Sequence, residues 1–248
     1  VQEQLLFSIR LFYTINGIRN PVFTEIDIPD TVTQLIGSPN QYEKIIDGQR
    51  YGVYEKRYVI FPQRSGSFEI PDILFRGEVT DGSSSFVFRN LNTRRITAFI
   101  EGRTINVVER PPSAEKLSTW LPLTDLVMEE SFSRPLSDLK VGDSLVRTIK
   151  MTAAGVDGAV LAPFSPSDID GFNVYPDPAQ IERRFVDGSI VGERIESSTL
   201  VVLEDGALSI PSIKIDWWNV DSDQLDSTQV LETRLNILPL QGIAPSEL

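Results

Sequence analysis

The chain has 248 residues, of which 41% are hydrophobic and 23% are charged, and it contains no cysteine and no histidine. This composition is typical of a soluble globular protein with one large domain or two of ordinary size. The two missing residue types exclude disulfides, Cys/His zinc sites, cysteine nucleophiles and Ser-His-Asp relays, and the composition indicates no cofactor.

The net charge of -12 arises in the second half of the chain. Residues 1–112 contain 13 Lys and Arg against 13 Asp and Glu, whereas the other 136 residues contain 10 against 22. Phosphate backbones and anionic lipid headgroups would be repelled by the acidic half, so the charge argues against both as partners. No apolar run is long enough to span a membrane, so any membrane attachment is expected to use an anchor outside this sequence.

The predicted elements are all strands. Leu5–Ile15 is apolar and aromatic, and Asn16-Gly17 after it is the strongest short hairpin signal. No segment has a sustained helical apolar stripe. Short strands separated by glycine, proline and aspartate turns predict an all-β protein of antiparallel, immunoglobulin-like β-sandwich domains. The further turns that carry this pattern are Asp47-Gly48, Asp81-Gly82, Asp187-Gly188 and Asp205-Gly206.

The sequence aligns with itself at an offset of about 140 residues without a gap. Ile45–Gly52 falls on Phe185–Gly192, and Val1–Ile9 falls on Val141–Ile149. Two unrelated β segments with turn glycines could also be aligned by chance, but here a single offset serves both ends of the unit. The same register places Gly66, Ile70, Pro71 and Ile73 on Gly206, Ile210, Pro211 and Ile213.

The repeat predicts two domains, residues 1–112 and 123–240, joined by a linker at 113–122 and followed by a tail at 241–248 that leads toward a membrane anchor. Two prolines and small polar residues mark the linker. Leu126–Phe132 is predicted to be the first strand of the second domain. Its counterpart in the first domain would fall before residue 1, so that domain is expected to lack its first strand.

Pro71 and Pro211 each interrupt a strand-like apolar pattern. Proline has no N–H to donate to a neighbouring strand, so each must lie where no ladder hydrogen bond is lost. Two interpretations stay open at this point. The chain bulges or passes from one sheet to another there, or the proline blunts an exposed edge.

Several segments resemble the BatD proteins, the oxygen-tolerance or aerotolerance family of bacteria. They are Arg57–Pro71 with Gly77-Glu78-Val79, Trp120-Leu121-Pro122, Gly171–Asp177 and Ile213–Trp218. The resemblance implies immunoglobulin-like domains in the periplasm, tethered to the cytoplasmic membrane in the intact protein. It also implies partners from the same operon, which are proteins with von Willebrand factor A domains, a MoxR-type ATPase and tetratricopeptide-repeat proteins. The family offers no established active site to transfer.

Asp221, Asp223 and Asp226 form an acidic cluster that could offer oxygen ligands to Ca²⁺. The glycine and the far glutamate of a calcium loop are missing, so a solvated hairpin is the favoured interpretation. A von Willebrand A domain holds Mg²⁺ with an open position that an acidic residue of another protein can fill. Partner binding of this kind is a hypothesis for Asp221 and Asp223, and for Asp168 and Asp170.

Trp217 and Trp218 are neighbours, so in a strand they point to opposite faces. One is expected in the core, and the other is expected either to be covered by a neighbouring segment or to bind a partner at the surface. Glu129-Glu130 also face apart and cannot flank one substrate bond, so a solvated strand is predicted there. Arg94-Arg95 could clamp an anion but are expected to be solubilising.

These features favour a non-catalytic protein-interaction scaffold that docks envelope partners. The alternative is a carboxylate-based hydrolase or a carbohydrate-binding sandwich, which needs two acids in a cleft lined by aromatic rings. A periplasmic chaperone that works by strand donation is a third possibility, and it requires a long unpaired edge.

Overall fold

The computed structural model describes residues 1–14, 18–80, 93–186 and 188–240. Within these ranges the regular elements are strands, apart from two short 3₁₀ turns at Pro112–Lys116 and Gly158–Val160, which confirms the all-β prediction. The chain divides into two compact units, unit 1 at Val1–Arg110 and unit 2 at Pro111–Leu248. The turns predicted at Asn16-Gly17 and Asp81-Gly82, residue Asp187 and the tail at 241–248 lie outside the described residues.

Unit 1 has nine described strands. They are β1 (Leu5–Tyr13), β2 (Ile18–Phe23), β3 (Thr31–Leu35), β4 (Asn40–Ile46), β5 (Gln49–Pro62), β6 (Gly66–Ile70), β7 (Ile73–Thr80), β8 (Thr93–Ile100) and β9 (Arg103–Val107). The long strand β5 pairs antiparallel with β1 on one side and with β3 and β4 in succession on the other. A second sheet has the order β2-β7-β8, and β6 pairs with β9.

The core of unit 1 lies between these sheets. Ile9 and Ile60 come from the first sheet, and Phe23 and Phe75 come from the second. The Phe23 ring stacks on Tyr54 at a centroid distance of 5.6 Å and meets Phe75 at 5.0 Å. Aromatic contacts of this kind add to the stabilisation that burial of apolar surface provides. The inward-facing side chains of the two sheets therefore form one apolar cluster.

Unit 2 has ten described strands. They are β10 (Pro122–Leu123), β11 (Asp125–Phe132), β12 (Ser144–Ala154), β13 (Phe172–Pro176), β14 (Gln180–Val186), β15 (Ser189–Val202), β16 (Gly206–Ile210), β17 (Ile213–Asn219), β18 (Gln224–Val230) and β19 (Thr233–Ile237). The first sheet has the order β11-β12-β15, with β13 and β14 sharing the far side of β15. The second has the order β10-β17-β18, and β16 pairs with β19.

The two units pair their long central strands, β5 and β15, with the corresponding neighbours in the same register. Strands β4, β5 and β6 recur as β14, β15 and β16 with both ends of each displaced by 140 residues. In unit 1, Leu5 pairs with Ile60, and in unit 2 Leu145 pairs with Leu200. The internal repeat detected in the sequence is therefore a repeat of structure, down to individual residue pairs.

The two prolines lie where the chain passes from one sheet to another. Strand β6 ends at Ile70 in the pair β6-β9, and β7 begins at Ile73 in the sheet β2-β7-β8, with Pro71 between them. Pro211 separates β16 from β17 in the same way. A residue at this point donates to neither ladder, so proline's missing N–H costs no hydrogen bond. Of the two interpretations, the change of sheet is the one that the structure has.

The boundary between the units differs from the linker predicted at 113–122. That segment belongs to unit 2 and begins with the 3₁₀ turn Pro112–Lys116. The end of this segment packs into the core of unit 2, where Leu121 and Leu123 are buried. Leu121 O also accepts a hydrogen bond from Trp218 N at 2.9 Å. Prolines and small residues indicated a break in the strand pattern, but they could not indicate this docking.

Candidate functional site

Two exposed carboxylates of unit 2, Asp168 and Asp170, flank the buried Ile169. These three residues line an open cleft of about 390 Å³. The rest of its lining consists of Ala207, Leu208, Ser209 and Pro211. The structure thus brings together two of the acidic residues that the sequence nominated for partner binding, and it adds a neighbouring hydroxyl. The seven lining residues include no aromatic ring.

Gly171 allows the loop to approach β16 closely enough to form this cleft. Its φ of 80° lies in the left-handed region that favours glycine. A Cβ at this position would also come within 2.6 Å of the Leu208 side chain. The tight turn after Asp170 therefore depends on glycine both for its backbone conformation and for the space beside β16.

A buried ion pair holds the segment that leads to Asp168. Glu196 on β15 is 9% exposed, and its Oε1 is 2.6 Å from Arg194 Nε. Its Oε2 accepts a hydrogen bond from Ser165 N at 2.8 Å, and Arg194 Nη1 donates to Leu161 O at 3.2 Å. Both charges therefore bind backbone groups of the segment 161–165. The position of the acidic loop is fixed by charged side chains as well as by apolar packing.

The pKa of Glu196 reflects this environment. Burial has the largest single effect and by itself raises the pKa, but hydrogen bonds from Arg194 and from Ser165 favour the carboxylate. Together these bonds hold the pKa of Glu196 below its ordinary value of 4.5. Because the folded-state pKa is the lower one, ionised Glu196 stabilises unit 2 fully above pH 4.5. That stabilisation is lost as the pH falls through the folded-state pKa.

Glu196→Gln is therefore expected to destabilise unit 2 at pH 7 by about 1 to 2 kcal/mol, since a charge-assisted set of hydrogen bonds is weakened. The difference from the unaltered protein should shrink as the pH falls below 4.5 and through the lowered folded-state pKa of Glu196. Thermal unfolding followed by tryptophan fluorescence at several pH values measures both effects. Glu204→Gln is the matched control because Glu204 is exposed. If Glu196→Gln destabilised unit 2 equally at every pH, the ionised carboxylate would not be the source of the stabilisation.

Further ion pairs join β14 to Asp157, which precedes this segment, and join β15 to both β12 and β14. Asp157 Oδ2 is 3.0 Å from Arg183 Nη1, and its Oδ1 accepts a hydrogen bond from Ala159 N at 3.0 Å. The carboxylate of Glu193, 5% exposed, lies 2.8 Å from Lys150 Nζ and 2.7 Å from Arg184 Nη2. No pattern in the sequence singles out these residues. Their partners become apparent only when β12, β14 and β15 are placed side by side.

The acidic cluster at Asp221, Asp223 and Asp226 lies on the hairpin between β17 and β18. Asn219 Oδ1 accepts hydrogen bonds from Asp221 N and Ser222 N, both at 3.1 Å, and so closes the turn. All three aspartates are exposed, and Asp226 Oδ1 accepts from Ser227 N. In the described part of the chain, no group of three or more acidic side chains is arranged to hold a metal ion. The geometry is that of a solvated hairpin.

Both adjacent tryptophans are buried, so the structure does not support the alternative that one of them binds a partner at the surface. Trp217 is 4% exposed in the core, and its Nε1 donates to Thr228 Oγ1 at 3.1 Å. Trp218, on the opposite face, is 5% exposed and packs against Trp120 at a ring centroid distance of 6.0 Å. Covering by a neighbouring segment, the other outcome considered for the second ring, is therefore the one observed.

The buried pair Glu130–Arg147 is a feature that the sequence analysis missed. Glu130 was expected to be solvated, but its Oε1 accepts a hydrogen bond from Arg147 Nε at 2.7 Å, and the Arg147 side chain is only 3% exposed. Arg147 Nη1 and Nη2 have no hydrogen-bond partner among the described residues. The repeat places Phe7 of unit 1 at the position of Arg147. One signal in the sequence could have revealed this site. Arg147 is charged, yet it alternates with the apolar residues Leu145, Ile149 and Met151 and so lies on the same inward face of the strand.

The other paired charges form no site. Glu129 is exposed and faces away from Glu130, as expected for neighbours in a strand. Arg94 and Arg95 are exposed at the beginning of β8, where they pair with Val79 and Glu78 of β7. Neither pair converges on a common point, so neither supplies a catalytic or anion-binding arrangement.

No protein-family model matches the chain, and no curated protein matches it. Fold and geometry define the class of protein, which is an all-β protein of two repeated antiparallel units with an acidic cleft in the second. Among the described residues, no helix has the length and apolar character that crossing a membrane requires. The resemblance to the BatD proteins stays a prediction.

Proposed function

We propose that this chain is a non-catalytic protein-interaction scaffold, formed by tandem immunoglobulin-like units of a BatD-like aerotolerance protein. In this proposal it faces the bacterial periplasm and is anchored to the cytoplasmic membrane by a segment outside this sequence. Support comes from the motif resemblance and from the duplicated all-β architecture. A sandwich of this kind supplies a rigid frame on which loops can present binding residues.

The observation that carries the proposal is the cleft at Asp168 and Asp170. Its two carboxylates are exposed, yet the segment that leads to them is fastened to β15 by the buried pair Glu196–Arg194. A preformed surface binds a partner without the entropic cost of ordering a loop. Accessible carboxylates that follow a backbone segment held in place therefore favour docking.

The partner class that fits this chemistry is a protein that presents a divalent cation with an open coordination position. A carboxylate oxygen is a preferred ligand for Mg²⁺. We therefore propose that the von Willebrand factor A-domain proteins of the same operon bind at Asp168 or Asp170 through their own Mg²⁺. The tetratricopeptide-repeat protein of that operon is a further proposed partner.

Binding of purified A-domain proteins to this chain tests the proposal. With Mg²⁺ present, the double variant Asp168→Asn with Asp170→Asn should weaken binding at least about tenfold, which corresponds to about 1.4 kcal/mol. EDTA should abolish binding to the unaltered chain. The matched control is Asp221→Asn with Asp223→Asn on the β17–β18 hairpin, which should bind normally. Binding that persists in EDTA, or that is lost in the hairpin variant instead, would refute docking at the cleft.

The hydrolase alternative receives less support from the same cleft. A glycosidase needs two carboxylates on either side of a sugar, and sugar-binding clefts use aromatic rings for stacking. The lining residues of this cleft supply the two acids but no ring. Turnover of a glycan by the chain, lost in Asp168→Asn, would replace the scaffold proposal with an enzymatic one.

A further inference from the structure

The outer face of the sheet β2-β7-β8 in unit 1 carries three exposed arginines, Arg19, Arg76 and Arg95. Glu78 on β7 pairs with Arg19 of β2 on one side and with Arg95 of β8 on the other, so these side chains lie on one face. Arg76 precedes Glu78 by two residues and points the same way, away from the core that holds Phe75. We call this surface the arginine face. It carries three positive charges and one negative charge.

A β-bulge in β2 adds apolar surface to the arginine face. The register of β2 on β7 shifts between Arg19 and Val22, where Asn20 has a φ of 50°. Residues three apart in a regular strand point to opposite sides, but this shift leaves Val22 opposite Arg76 and on the arginine face. Val22 is 60% exposed, and Phe99 of β8, on the same face, is 58% exposed. Arginine together with exposed apolar side chains is typical of protein interfaces.

The three arginines have no carboxylate partner among the described residues. The ion pairs found in unit 1 lie elsewhere. They are Arg10–Glu55, Arg50–Glu43 and Arg64–Asp30. A guanidinium group can bind a carboxylate through two parallel hydrogen bonds. The arginine face can therefore accept carboxylates from another surface without first breaking an internal ion pair.

The equivalent hairpin of unit 2 has the opposite charge. Strands β7 and β17 begin 140 residues apart and correspond in the repeat. Strands β7 and β8 together contain three arginines and one glutamate. Residues 213–230, which form β17, β18 and the turn between them, contain four aspartates and one lysine. Asp221, Asp223 and Asp226 are exposed near the tip of this hairpin. Leu225, which is 45% exposed, adds an apolar side chain beside them.

We propose that the arginine face of one molecule binds the acidic β17–β18 hairpin of a second copy of this chain. Charge complementarity is the argument for this occupant, because three arginines meet three aspartates and both surfaces carry exposed apolar side chains beside the charges. The contact joins unit 1 of one molecule to unit 2 of another and is therefore heterologous. It either closes into a dimer with two such contacts or continues as an open row. The inference does not depend on the scaffold function, and it uses none of the residues that line the acidic cleft.

Nucleic acid and anionic lipid fit the arginine face less well than a second copy does. Val22 and Phe99 offer nothing to a row of phosphates. The net charge of -12 also repels a polyanion from the chain as a whole. A second copy instead presents its aspartates on one narrow hairpin, with an apolar side chain among them.

The oligomeric state of the unaltered chain is the first test. Sedimentation at protein concentrations up to about 1 mM should show association, which should weaken at least about tenfold when NaCl is raised from about 50 mM to about 500 mM, since exposed charges are screened. Arg76→Glu with Arg95→Glu should abolish association. The matched control is Arg50→Glu with Arg103→Glu, which changes the charge equally at exposed arginines outside this sheet. It should associate like the unaltered chain.

An exchange of charges identifies the partner surface. Asp221→Arg with Asp226→Arg should also give a monomer, because arginine then meets arginine. Asp223 is kept, since its φ of 54° is more easily adopted by aspartate than by arginine. When this variant is mixed with Arg76→Glu with Arg95→Glu, the new arginines meet the new glutamates, and the two unaltered surfaces meet each other. The mixture should therefore associate although neither variant does so alone.

The milder variant Arg76→Gln with Arg95→Gln removes the charges without reversing them and should weaken association at least about tenfold. A chain that stays monomeric at about 1 mM would overturn the proposal. So would equal association of the glutamate variant and its control, or a mixture of the two reversed variants that stays monomeric. Binding of the unaltered chain to phosphatidylglycerol vesicles, lost in Arg76→Glu with Arg95→Glu, would assign the arginine face to a membrane instead.

Discussion

Glu130→Ala is expected to lower the free energy of unfolding of unit 2 by about 3 to 5 kcal/mol, because it leaves a buried guanidinium without its counter-charge. Arg147 cannot escape the cost by losing its proton, since arginine stays charged in proteins. Its side chain is 3% exposed, and its Nη1 and Nη2 already lack partners among the described residues. Removing the carboxylate that binds Nε would leave the whole cation unpaired in the interior.

Denaturant unfolding followed by tryptophan fluorescence measures this effect on unit 2 alone. All three tryptophans of the chain, Trp120, Trp217 and Trp218, lie in unit 2. Glu129→Ala is the matched control, because Glu129 is the exposed neighbour on the same strand and should change stability by no more than about 0.5 kcal/mol. Equal losses in the two variants would show that the ion pair is not the cause.

The double variant Arg147→Phe with Glu130→Leu separates the pair from its two members. A buried ion pair can often be replaced by apolar residues without loss of stability. Unit 1 already has phenylalanine at this position of the repeat, where Phe7 packs against the core. The double variant should therefore recover most of the stability that Glu130→Ala loses. A double variant as unstable as the single one would indicate that the charges are needed for the strand to dock.

The architecture could be predicted because its signals are local and occur twice. Period-two alternation and turn glycines indicate the strands. The repeat is indicated by a single offset, which separates Gly52 from Gly192 and also Pro71 from Pro211. Strands β5 and β15 have the same limits in that register. The sequence alone could not decide between the two roles considered for the prolines, a change of sheet and the blunting of an edge. The two roles differ only in which strands lie next to the proline in space.

The candidate site was only partly predictable, because its geometry depends on pairing between distant segments. Asp168 and Asp170 could be proposed from their spacing, but the cleft beside them is completed by β16, which follows much later in the chain. Glu196 reads as an ordinary strand residue until Ser165 is placed next to it. Trp218 illustrates the same limit, since alternation gave its face correctly but could not show that Trp120 covers it.

Gly192→Ala is expected to destabilise unit 2 by about 3 kcal/mol, whereas Gly52→Ala at the same position of the repeat should cost unit 1 only about 1 kcal/mol. A Cβ on Gly192 would overlap backbone atoms of Val156, Asp157 and Gly158, and Asp157 is held in place by its ion pair with Arg183. A Cβ on Gly52 would instead meet the ring of Tyr13, a partly buried side chain that can turn aside. The repeat thus offers the same substitution at two equivalent positions, where the new methyl group meets a side chain in unit 1 and backbone in unit 2.

Calorimetry of the two variants compares the stability that each substitution removes. Tryptophan fluorescence identifies which unfolding transition belongs to unit 2. The backbone that Gly192→Ala displaces leads through the segment 161–165 to Asp168, so this variant should also weaken partner binding at temperatures where it is still folded. Gly52→Ala should leave binding unchanged. Equal destabilisation by the two substitutions would mean that the segment 156–158 yields as easily as the Tyr13 ring. The acidic cleft would then rest on a loop that can change its conformation, and its preformed geometry would no longer support the proposal that a partner docks there.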